Sequence, residues 1–301
     1  MNVSVIIPTH NRISGLIEAV SSVLNQTVLP KEIIVIDDAS DDNTETALEN
    51  IESKGVEIQF YRFNKSQGAC SARNKGAELA TCPILMFLDD DDTWEKKKIE
   101  EQIKVFRENP KIGLVYSGKI VVYDSDRSKT LYKIIPEAQG KLYPQIFHKN
   151  LIGTTSSVAI KKTLFEEVGG FDINLTALQD YDLWIRCTKI TMVGHDSSCN
   201  VRYTISSKPS TQISGNTEKN LKAIEYIMQK YKPELENMGF IRKKKIKSSF
   251  YFYIARVTAK TNYLNSIKWI MKSIVSFPNL KAMLLIFPSS ILNMARVIVK
   301  R

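Results

Sequence analysis

Short apolar runs alternate with helical patterns through the first third of the chain, and this alternation restricts the fold more than any other feature. Four runs predict buried strands: VSVIIP (Val3–Pro8), EIIVID (Glu32–Asp37), EIQFYRF (Glu57–Phe63) and ILMFL (Ile84–Leu88). Apolar residues at helical spacing predict helices over Ile13–Gln26, Asn43–Ser53, Ala69–Ala80 and Trp94–Glu108. This repetition predicts an α/β fold with a mostly parallel central sheet flanked by helices.

Polar side chains directly follow three of the predicted strands. They are Thr9, Asn11 and Arg12 after the first strand, Asp37 and Asp38 at the second, and Asp89–Asp92 after the fourth. Ligands of open α/β sheets bind at the carboxyl ends of the strands, so we expect these side chains to line a single cleft. Up to six carboxylates would share that cleft.

Four adjacent aspartates need a compensating charge. Two like charges about 4 Å apart repel by about 1 kcal/mol in water and by about 4 kcal/mol at an effective dielectric constant of about 20. Mg²⁺ and Mn²⁺ prefer carboxylate oxygens and leave positions for phosphate oxygens, so the run predicts a divalent cation and a nucleoside diphosphate. The alternative is structural, with Asp92 capping a helix that begins near Trp94 and Asp91 beside its positive end.

Five motifs extend this pattern along the chain: VSVIIPTHNR, VIDDAS, GACSARNKG, FLDDDDTW and GGFDINLTALQDYDLWIR. In this order they resemble the family 2 glycosyltransferases, which are inverting enzymes with the GT-A fold. The resemblance covers about Asn2–Tyr203. It implies a transferase that uses Mn²⁺ or Mg²⁺ and moves a sugar from a nucleotide donor to a hydroxyl group.

The resemblance also implies roles for individual residues. Those implied to bind the donor are Pro8, Thr9, Asn11, Arg12, Asp38, Arg73, Asp89 and Asp90. Of these, Asp38 would contact the base, Asp89 or Asp90 the ribose or donor sugar, and Arg73 would lie near the donor. Asp91 would bind the metal.

The late motif QDYDLWIR resembles the start of the helix that carries the catalytic base in this family, and Asp180 occupies the base position. A carboxylate suits this role because the acceptor hydroxyl must lose its proton as it attacks the anomeric carbon. Gln179 replaces the usual glutamate and removes one charge beside the base. Taken alone, Asp180 also fits an ordinary helix N-cap.

Two further stretches concern the acceptor. Many relatives carry a histidine at the position near Ser206, and here Arg202 or Lys208 could replace its contact. The stretch GTTSS (Gly153–Ser157) either presents hydroxyls to the acceptor or satisfies its own backbone. No motif identifies the sugar, the acceptor or the linkage.

These motifs divide the chain into two regions. We predict a GT-A domain over residues 1–215, with the nucleotide-sugar-binding half at 1–112 and the acceptor half at 113–215. Strands are expected near GLVYSGKIVVYD (Gly113–Asp124) and TSSVAIKK (Thr155–Lys162), followed by a helix at Lys162–Val168. Residues 216–301 would form a helical, basic C-terminal extension.

The net charge of +10 originates in this extension. Residues 241–301 contain 13 Lys and Arg residues and no acidic residue, whereas the rest of the chain is slightly acidic. Aromatic and aliphatic residues interleave with the cations, which fits binding to an anionic membrane surface. The alternative is a basic helical hairpin packed on the catalytic domain. Because no nucleic-acid-binding motif is recognisable, we expect no nucleic acid partner.

We expect a cytoplasmic protein that is peripheral on the inner face of the cell membrane. No basic leader precedes the first strand, and neither a disulfide framework nor a C-x-x-C pair is formed by Cys70, Cys82, Cys187 and Cys199. We expect no membrane-spanning helix, since the last apolar stretch is interrupted at Pro278, Pro288, Asn293 and Arg296.

The leading prediction is a hexosyl- or N-acetylhexosaminyl-transferase. Its donor would be a UDP-sugar. Its acceptor would be a hydroxyl group of a lipid-linked glycan, and the reaction would belong to the synthesis of a cell-surface polysaccharide. Two alternatives stay open. One is a non-catalytic scaffold that binds nucleotide or glycan. The other is a nucleotidyltransferase of related fold, although the stretch after the first strand lacks the Gly- and Lys-bearing phosphate loop of those enzymes.

Overall fold

The structure is a computed structural model that describes residues 1–206, 216–259 and 262–286. These residues form two compact units. The first contains Met1–Ile146, Asn150–Asn174 and the described residues from Gln179 to 206; the second contains Phe147–Lys149, Leu175–Leu178 and the described residues from 216 onward. The predicted boundary at residue 215 lies outside the described residues, so the domain division stays a prediction.

The strands of the first unit are, in chain order, β1 (Val3–Thr9), β2 (Glu32–Asp37), β3 (Glu57–Arg62), β4 (Ile84–Phe87), β5 (Thr93–Trp94), β6 (Ile112–Tyr116), β7 (Lys119–Tyr123), β8 (Asp126–Ile134), β9 (Val158–Lys161), β10 (Met192–His195) and β11 (Val201–Ile205). Seven of them form the main sheet, in the order β10-β6-β9-β4-β1-β2-β3. Only β9 runs antiparallel to its neighbours in this sheet. The predicted α/β fold with a mostly parallel sheet is therefore confirmed.

The helices of this unit are α1 (Ile13–Leu24), α2 (Thr44–Glu49), α3 (Ala69–Leu79), α4 (Lys98–Glu108), α5 (Lys162–Glu167) and α6 (Gln179–Ile190). Helix α1 buries Leu16 and Val20, which belong to the same hydrophobic cluster as Val5 of β1 and Ile33 of β2. Burial of these apolar faces stabilises the sheet and fixes where its strands end.

The register of three strands brings their loops together. Strand β1 pairs with β2 on one side and β4 on the other, with Thr9 opposite Asp37 and Ile6 opposite Phe87. Beyond the paired residues, the backbone N–H of Asp38 donates to the carbonyl of Thr9 at 2.9 Å. The loops after β1, β2 and β4 therefore lie at one edge of the sheet, as predicted.

A smaller sheet has the order β5-β11-β7-β8. Neither β8 nor β11 is among the strands predicted from the sequence. Strand β5 follows the aspartate run directly and pairs antiparallel with β11. This sheet therefore brings residues of β7 and β11 next to the carboxyl end of β4.

Two sequence predictions are wrong in detail. The predicted helix Trp94–Glu108 begins only at Lys98, because Trp94 lies in β5 and its buried indole donates to the carbonyl of Ser156 at 2.9 Å. The run Glu57–Phe63 is not a buried strand. Strand β3 is the outermost strand of the main sheet on one side and pairs only with β2. Its side chains are therefore exposed or partly exposed.

The described part of the second unit is helical, with α7 (Thr217–Lys230), α8 (Lys232–Glu236), α9 (Phe240–Thr258), α10 (Tyr263–Ser276) and α11 (Leu280–Leu284). Ala255, Ile270 and Ala282 join α9, α10 and α11 in one small core. The hydroxyl of Ser273 also donates to the carbonyl of Ser248 at 2.8 Å. Across the described ranges, no helix is both long and apolar enough to cross a membrane. Of the residues predicted to interrupt a spanning helix, Pro288, Asn293 and Arg296 lie outside those ranges.

Candidate functional site

Thr9 and Arg12 tie the loop after β1 to the aspartate run after β4. Asp90 is buried and accepts hydrogen bonds from Oγ1 of Thr9 at 2.9 Å and Nη1 of Arg12 at 3.1 Å. The same nitrogen of Arg12 lies 3.1 Å from Oδ2 of Asp91. One guanidinium thus contacts two of the four aspartates and can balance only one of their charges.

Asp89, Asp91 and Asp92 form an acidic cluster. One carboxylate oxygen from each lies within 4.8 Å of the others. Burial raises the pKa of Asp91 to about 6, and the nearby charges of Asp89 and Asp90 add to this effect. Burial and the charge of Asp91 also raise the pKa of Asp92 well above its usual value. A cation at this position would relieve the repulsion.

Asp92 does not cap a helix. Its Oδ1 accepts the backbone N–H of Thr204 in β11 at 2.9 Å, and α4 begins six residues later, at Lys98. Its Oδ2 is buried and makes no hydrogen bond of normal geometry among the described residues, and the nearby hydroxyl of Ser156 only partly offsets the rise in the pKa of Asp92. The capping alternative for the aspartate run is therefore wrong for Asp92, and the unpaired buried oxygen is instead available to a ligand.

Asp38 and Asn11 organise the loops after β2 and β1. Asp38 accepts from Oγ of Ser66 at 2.7 Å and from the backbone N–H groups of Gln67 and Gly68 at 2.6 and 2.9 Å. Asn11 has a positive φ of 54° and joins the two loops, because its N–H donates to Oγ of Ser40 at 2.8 Å. Pro8 is a buried residue of β1. These predicted donor-binding residues all lie at the sheet edge beside the aspartate run.

Asp37 does not line the cleft. It is fully buried, and its carboxylate accepts from Nε of Arg62 at 2.6 Å and from Oγ of Ser40 at 2.5 Å. The expectation that Asp37 is one of the carboxylates of the cleft is therefore wrong, because its charge is already paired inside the fold.

Arg73 connects the acidic cluster to helix α6. It lies in α3 and is buried, with its Nη2 at 2.5 Å from Oδ1 of Asp89 and its Nη1 at 3.1 Å from Oε1 of Gln179. Its guanidinium carbon lies 5.4 Å from the ring centroid of Phe171. Gln179, the residue that departs from the family pattern, thus supplies a neutral acceptor to an arginine already paired with Asp89.

Asp180 is the second residue of α6 and is partly buried. Its Oδ1 accepts the backbone N–H of Tyr181 at 2.7 Å. Burial raises its pKa to about 6, although that hydrogen bond and the positive charges of Lys119 and Arg73 oppose the shift. A carboxylate with this pKa is ionised at neutral pH and still basic enough to accept a proton.

Lys119 and Tyr203 belong to the same site, and sequence reasoning missed both. Nζ of Lys119 in β7 lies 4.4 Å from the ring centroid of Tyr203 in β11. Burial lowers the pKa of Lys119, while the charges of Asp92 and Asp180 raise it. Burial and the same aspartates raise the pKa of Tyr203. A cation and a phenol therefore lie close to both the acidic cluster and Asp180.

Part of the stretch Gly153–Ser157 packs against the start of the aspartate run. Ser156 and Ser157 are buried, and Oγ of Ser156 accepts the backbone N–H of Asp89 at 3.1 Å. Buried Lys98, whose pKa is lowered to about 7 by burial, donates to the carbonyl of Ser157 at 3.3 Å. Arg202 pairs with Glu95 at 2.7 Å, and Lys208 lies outside the described residues.

Comparison with known proteins identifies the family. Residues 4–169, more than half of the chain, match the family described as glycosyl transferase family 2. The chain belongs to this family. It is 28% identical to an uncharacterized glycosyltransferase of Haemophilus influenzae over 77% of this chain and 78% of the relative. It is 27% identical to TuaG of Bacillus subtilis, a glycosyltransferase named for teichuronic acid biosynthesis, over 80% of this chain and 90% of the relative.

Solved structures of glycosyltransferases share the fold. Residues 1–349 of Staphylococcus aureus TarS, in complex with UDP-GlcNAc, align with a TM-score of 0.59 and 14% identity, over 92% of this chain and 90% of that chain. The mannosyltransferase PcManGT of Pyrobaculum calidifontis, in complex with GDP-Man and Mn²⁺, aligns with a TM-score of 0.58 and 15% identity, over 100% of this chain and 81% of that chain. The predicted GT-A-type fold of this glycosyltransferase is confirmed.

The site of this glycosyltransferase is chemically suited to a divalent cation and to proton transfer. Carboxylate oxygens are the ligands that Mg²⁺ and Mn²⁺ prefer, and the cluster has both converging oxygens and a buried oxygen without a partner. Asp180, with its raised pKa, lies beyond the other end of Arg73. The acidic cluster and the first turn of α6, which contains Asp180, are therefore linked by one buried side chain.

Proposed function

We propose that this glycosyltransferase is a metal-dependent, inverting enzyme that moves a sugar from a UDP-linked donor to a hydroxyl group of a glycan. The observation that carries the proposal is the link from the acidic cluster through Arg73 to the helix of Asp180. The transferred group would be a hexose or an N-acetylhexosamine.

Asp180 is the proposed catalytic base. It takes the proton of the acceptor hydroxyl as the hydroxyl oxygen forms a bond to the anomeric carbon. The bond from that carbon to the diphosphate breaks on the opposite face, and its electron pair leaves with the phosphate oxygen. The configuration at the anomeric carbon is thereby inverted.

Asp91, together with Asp89 and Asp92, is the proposed metal site. A bound Mn²⁺ or Mg²⁺ supplies positive charge that offsets the charge of the departing diphosphate. Arg73 and Arg12 keep the carboxylates of Asp89 and Asp90 in place through the hydrogen bonds described above. Fixed carboxylates reduce the reorganisation needed when the donor binds.

The proposed donor site extends over the loops after β1 and β2. Pro8, Thr9, Asn11 and Arg12 would face the nucleoside, Asp38 would contact its base, and Asp89 or Asp90 would contact the ribose or donor sugar. The hydrogen bonds from Ser66, Gln67 and Gly68 to Asp38 support this role, because they hold a carboxylate at the sheet edge where ligands of this fold class bind.

The proposed acceptor is a lipid-linked glycan in the synthesis of a cell-surface polysaccharide, at the inner face of an anionic membrane. The similarity to TuaG supports the polysaccharide, as an analogy of function between relatives. The exposed surface of α10 supports the proposal that the protein binds a membrane. Four large apolar side chains, Leu264, Ile267, Met271 and Val275, are exposed along one face of this helix, and Lys268 and Lys272 flank them. Such a face can insert between anionic headgroups.

The family assignment favours glycosyl transfer over the alternative of nucleotidyl transfer. A non-catalytic scaffold would use the same cleft for binding only. The position of Asp180 next to Gln179, which Arg73 links to the acidic cluster, favours catalysis, and so does its pKa, which burial raises, because carboxylates with raised pKa values are concentrated at functional sites.

A donor panel tests the proposal. The full chain is incubated with UDP-, GDP- and dTDP-linked hexoses and N-acetylhexosamines, with Mn²⁺, with Mg²⁺ or with EDTA, and released nucleotide is measured. We expect release from a UDP-sugar with either metal and little release in EDTA. Undiminished release of nucleotide in EDTA would contradict the proposed dependence on a metal. A preference for GDP-sugars would contradict the proposed UDP-linked donor. Binding of a nucleotide sugar without release would favour the non-catalytic scaffold.

A further inference from the structure

The second unit contains a cavity that the proposed transfer reaction does not use. Its volume is about 380 Å³, within the range of small-molecule sites, and it lies among helices α7, α8, α9 and α10. Its lining includes four lysines and two aromatic residues: Lys232, Lys243, Lys247, Lys272, Tyr251 and Trp269. We call this cavity the lysine–aromatic pocket.

Helical spacing builds the pocket from two faces. On α9, Lys243, Lys247 and Tyr251 are four residues apart, so they lie on one side of the helix. On α10, Trp269 and Lys272 are three residues apart. The Tyr251 and Trp269 rings face each other at a tilt of 32°, with centroids 5.9 Å apart.

Lys272 joins the aromatic part of the pocket to its charged part. Its Nζ lies 4.5 Å from the ring centroid of Trp269 and 5.8 Å from that of Tyr251. A lysine held over aromatic faces keeps its ammonium close to the cavity and leaves its N–H donors available.

The charge of the pocket fits a dianion. The lining contains Glu225 and Glu236 besides the four lysines, which leaves two net positive charges. Of the ion pairs found among the described residues, none joins these glutamates to these lysines. A phosphate monoester carries a charge of about −1.5 to −2 at pH 7, whereas a carboxylate carries only one charge.

The remaining wall is apolar. Met228, Leu235 and Ile254 line the pocket beside the aromatic pair. A ligand with a phosphate at one end and a carbon skeleton at the other would therefore pair its charge with the lysines and pack its skeleton on the rings and aliphatic side chains.

We infer that the lysine–aromatic pocket binds a phosphate monoester carried by a sugar or by a lipid headgroup. The pocket shares no residue with the proposed donor site: its lining belongs to the second unit and is basic, whereas the aspartates of the donor site belong to the first unit. The inference does not rest on the proposed transfer reaction.

Fluorescence can detect binding directly, because Trp269 is the partly exposed tryptophan of the chain while Trp94 and Trp184 are buried in the first unit. The full chain is titrated with glucose 1-phosphate at fixed ionic strength, with glucose as the uncharged comparison, and affinity is checked by calorimetry. We expect saturable binding of the phosphate ester and none of glucose.

Paired variants separate the pocket from general charge attraction. Lys247→Ala with Lys272→Ala should weaken binding at least tenfold. Lys244→Ala with Lys281→Ala removes the same charge from exposed positions of α9 and α11 and should change it less than twofold. Circular dichroism confirms that both double variants fold. Equal losses in the two pairs would overturn the inference, because they would mean that only net charge matters.

Binding to lipid vesicles shows whether the phosphate belongs to a lipid headgroup or to a sugar. Phosphatidylcholine vesicles containing phosphatidic acid are compared with vesicles containing phosphatidylglycerol at matched surface charge. Preference for phosphatidic acid that is lost in the Lys247/Lys272 variant supports a lipid headgroup, whereas binding of glucose 1-phosphate alone supports a phosphorylated sugar. If neither the ester nor phosphatidic acid depends on the two pocket lysines, the inference is wrong.

Discussion

Nη2 of Arg73 lies 2.5 Å from Oδ1 of Asp89, so a buried guanidinium ties helix α3 to the acidic cluster. The other terminal nitrogen of Arg73 reaches Gln179, the residue before the proposed base. A glutamate at position 179 would compete with Asp89 for Arg73 and would add a negative charge beside Asp180. The glutamine therefore fits an arginine whose charge is already paired.

Replacing Arg73 by lysine should disturb both ends of this link. An ammonium keeps the charge but cannot donate from two fixed nitrogens in one plane. We expect Arg73→Lys to lower kcat/KM by about 100-fold, because small displacements of reacting groups cost that much, and to weaken the rise in Tm on adding Mn²⁺. Arg107→Lys, at the exposed end of α4, is the matched control. Wild-type kcat/KM and an unchanged metal response would contradict the positioning role.

The proposed base predicts a specific dependence of activity on pH. The pKa of Asp180 is raised to about 6, and the base acts in its ionised form, so kcat at saturating donor and metal should rise with pH through about 6 and then level off. Asp180→Asn should lower kcat by about 10²–10⁴-fold and leave nucleotide affinity within about threefold. Glu108→Gln, an exposed acid on α4, serves as the control.

Steady-state kinetics between pH 5 and 8 and calorimetric titration with UDP provide these measurements. The role of Asp180 would be contradicted if its asparagine variant kept wild-type kcat. It would also be contradicted if the rise in kcat near pH 6 persisted unchanged in that variant.

The burial of Asp91, together with the charges of Asp89 and Asp90, predicts an unusual dependence of stability on pH. The folded-state pKa of Asp91, about 6, lies above the unfolded value of about 3.9, so its ionised form destabilises the metal-free fold. This destabilisation is complete above pH 6 and disappears as pH falls toward 4. Asp91→Asn removes this buried charge and should therefore raise the Tm in EDTA at pH 8, by about 2–4 °C for each kcal/mol of destabilisation removed, and the gain should shrink as pH falls.

Thermal unfolding from pH 4.5 to 8, with EDTA or Mn²⁺, checks this expectation. Mn²⁺ should raise the Tm of the wild type and have little effect on Asp91→Asn. Asp126→Asn is the control, and its effect on the Tm should have the opposite sign. Hydrogen bonds from Ser128 lower the pKa of this exposed residue, so its ionised form stabilises the fold and its replacement should lower the Tm. If Asp91→Asn were less stable than wild type in EDTA at pH 8 and responded normally to Mn²⁺, the metal site would be assigned wrongly.

The sequence was sufficient for the parts of the fold that local patterns encode. Val3–Pro8 and Glu32–Asp37 lie in strands that are buried throughout, as their apolar residues predict, and the position of polar residues at the strand ends predicts that Thr9, Asp38 and Asp89 meet at one end of the sheet. The sequence wrongly predicts a helix at Trp94, because apolar spacing cannot distinguish the start of a helix from a two-residue strand. The partner of that strand, β11, lies more than one hundred residues away in the chain.

Long-range pairing also explains which site residues were missed. Lys119 and Tyr203 lie in strands β7 and β11, and only their parallel pairing brings the ammonium onto the phenol ring. The sequence wrongly predicts that Asp37 lines the cleft. Its partner, Arg62, lies at the end of β3 and outside the motif VIDDAS, so the motif alone does not reveal the ion pair. Residue types at strand ends predict the edge they reach, whereas the direction of each side chain depends on its partners.

The exposed face of α10 gives the last prediction, which concerns the membrane. Leu264 and Val275 are each 77% exposed, and they mark the two ends of the apolar face described above. Leu264→Asp with Val275→Asp places two negative charges where acyl chains and anionic headgroups would lie. We expect this variant to lose at least tenfold in binding to vesicles of phosphatidylcholine and phosphatidylglycerol, measured by co-sedimentation of the full chain.

Asn265→Asp with Asn237→Asp is the matched control, since it adds the same charge at exposed polar positions of the same unit. It should reduce binding only slightly, and raising the salt concentration should reduce it further through screening. A membrane-binding face on α10 predicts that the two variants differ, because only one of them places charge on the apolar side chains. Equal binding by both would mean that the lysines alone attract the vesicles, and the α10 face would then have no part in membrane binding.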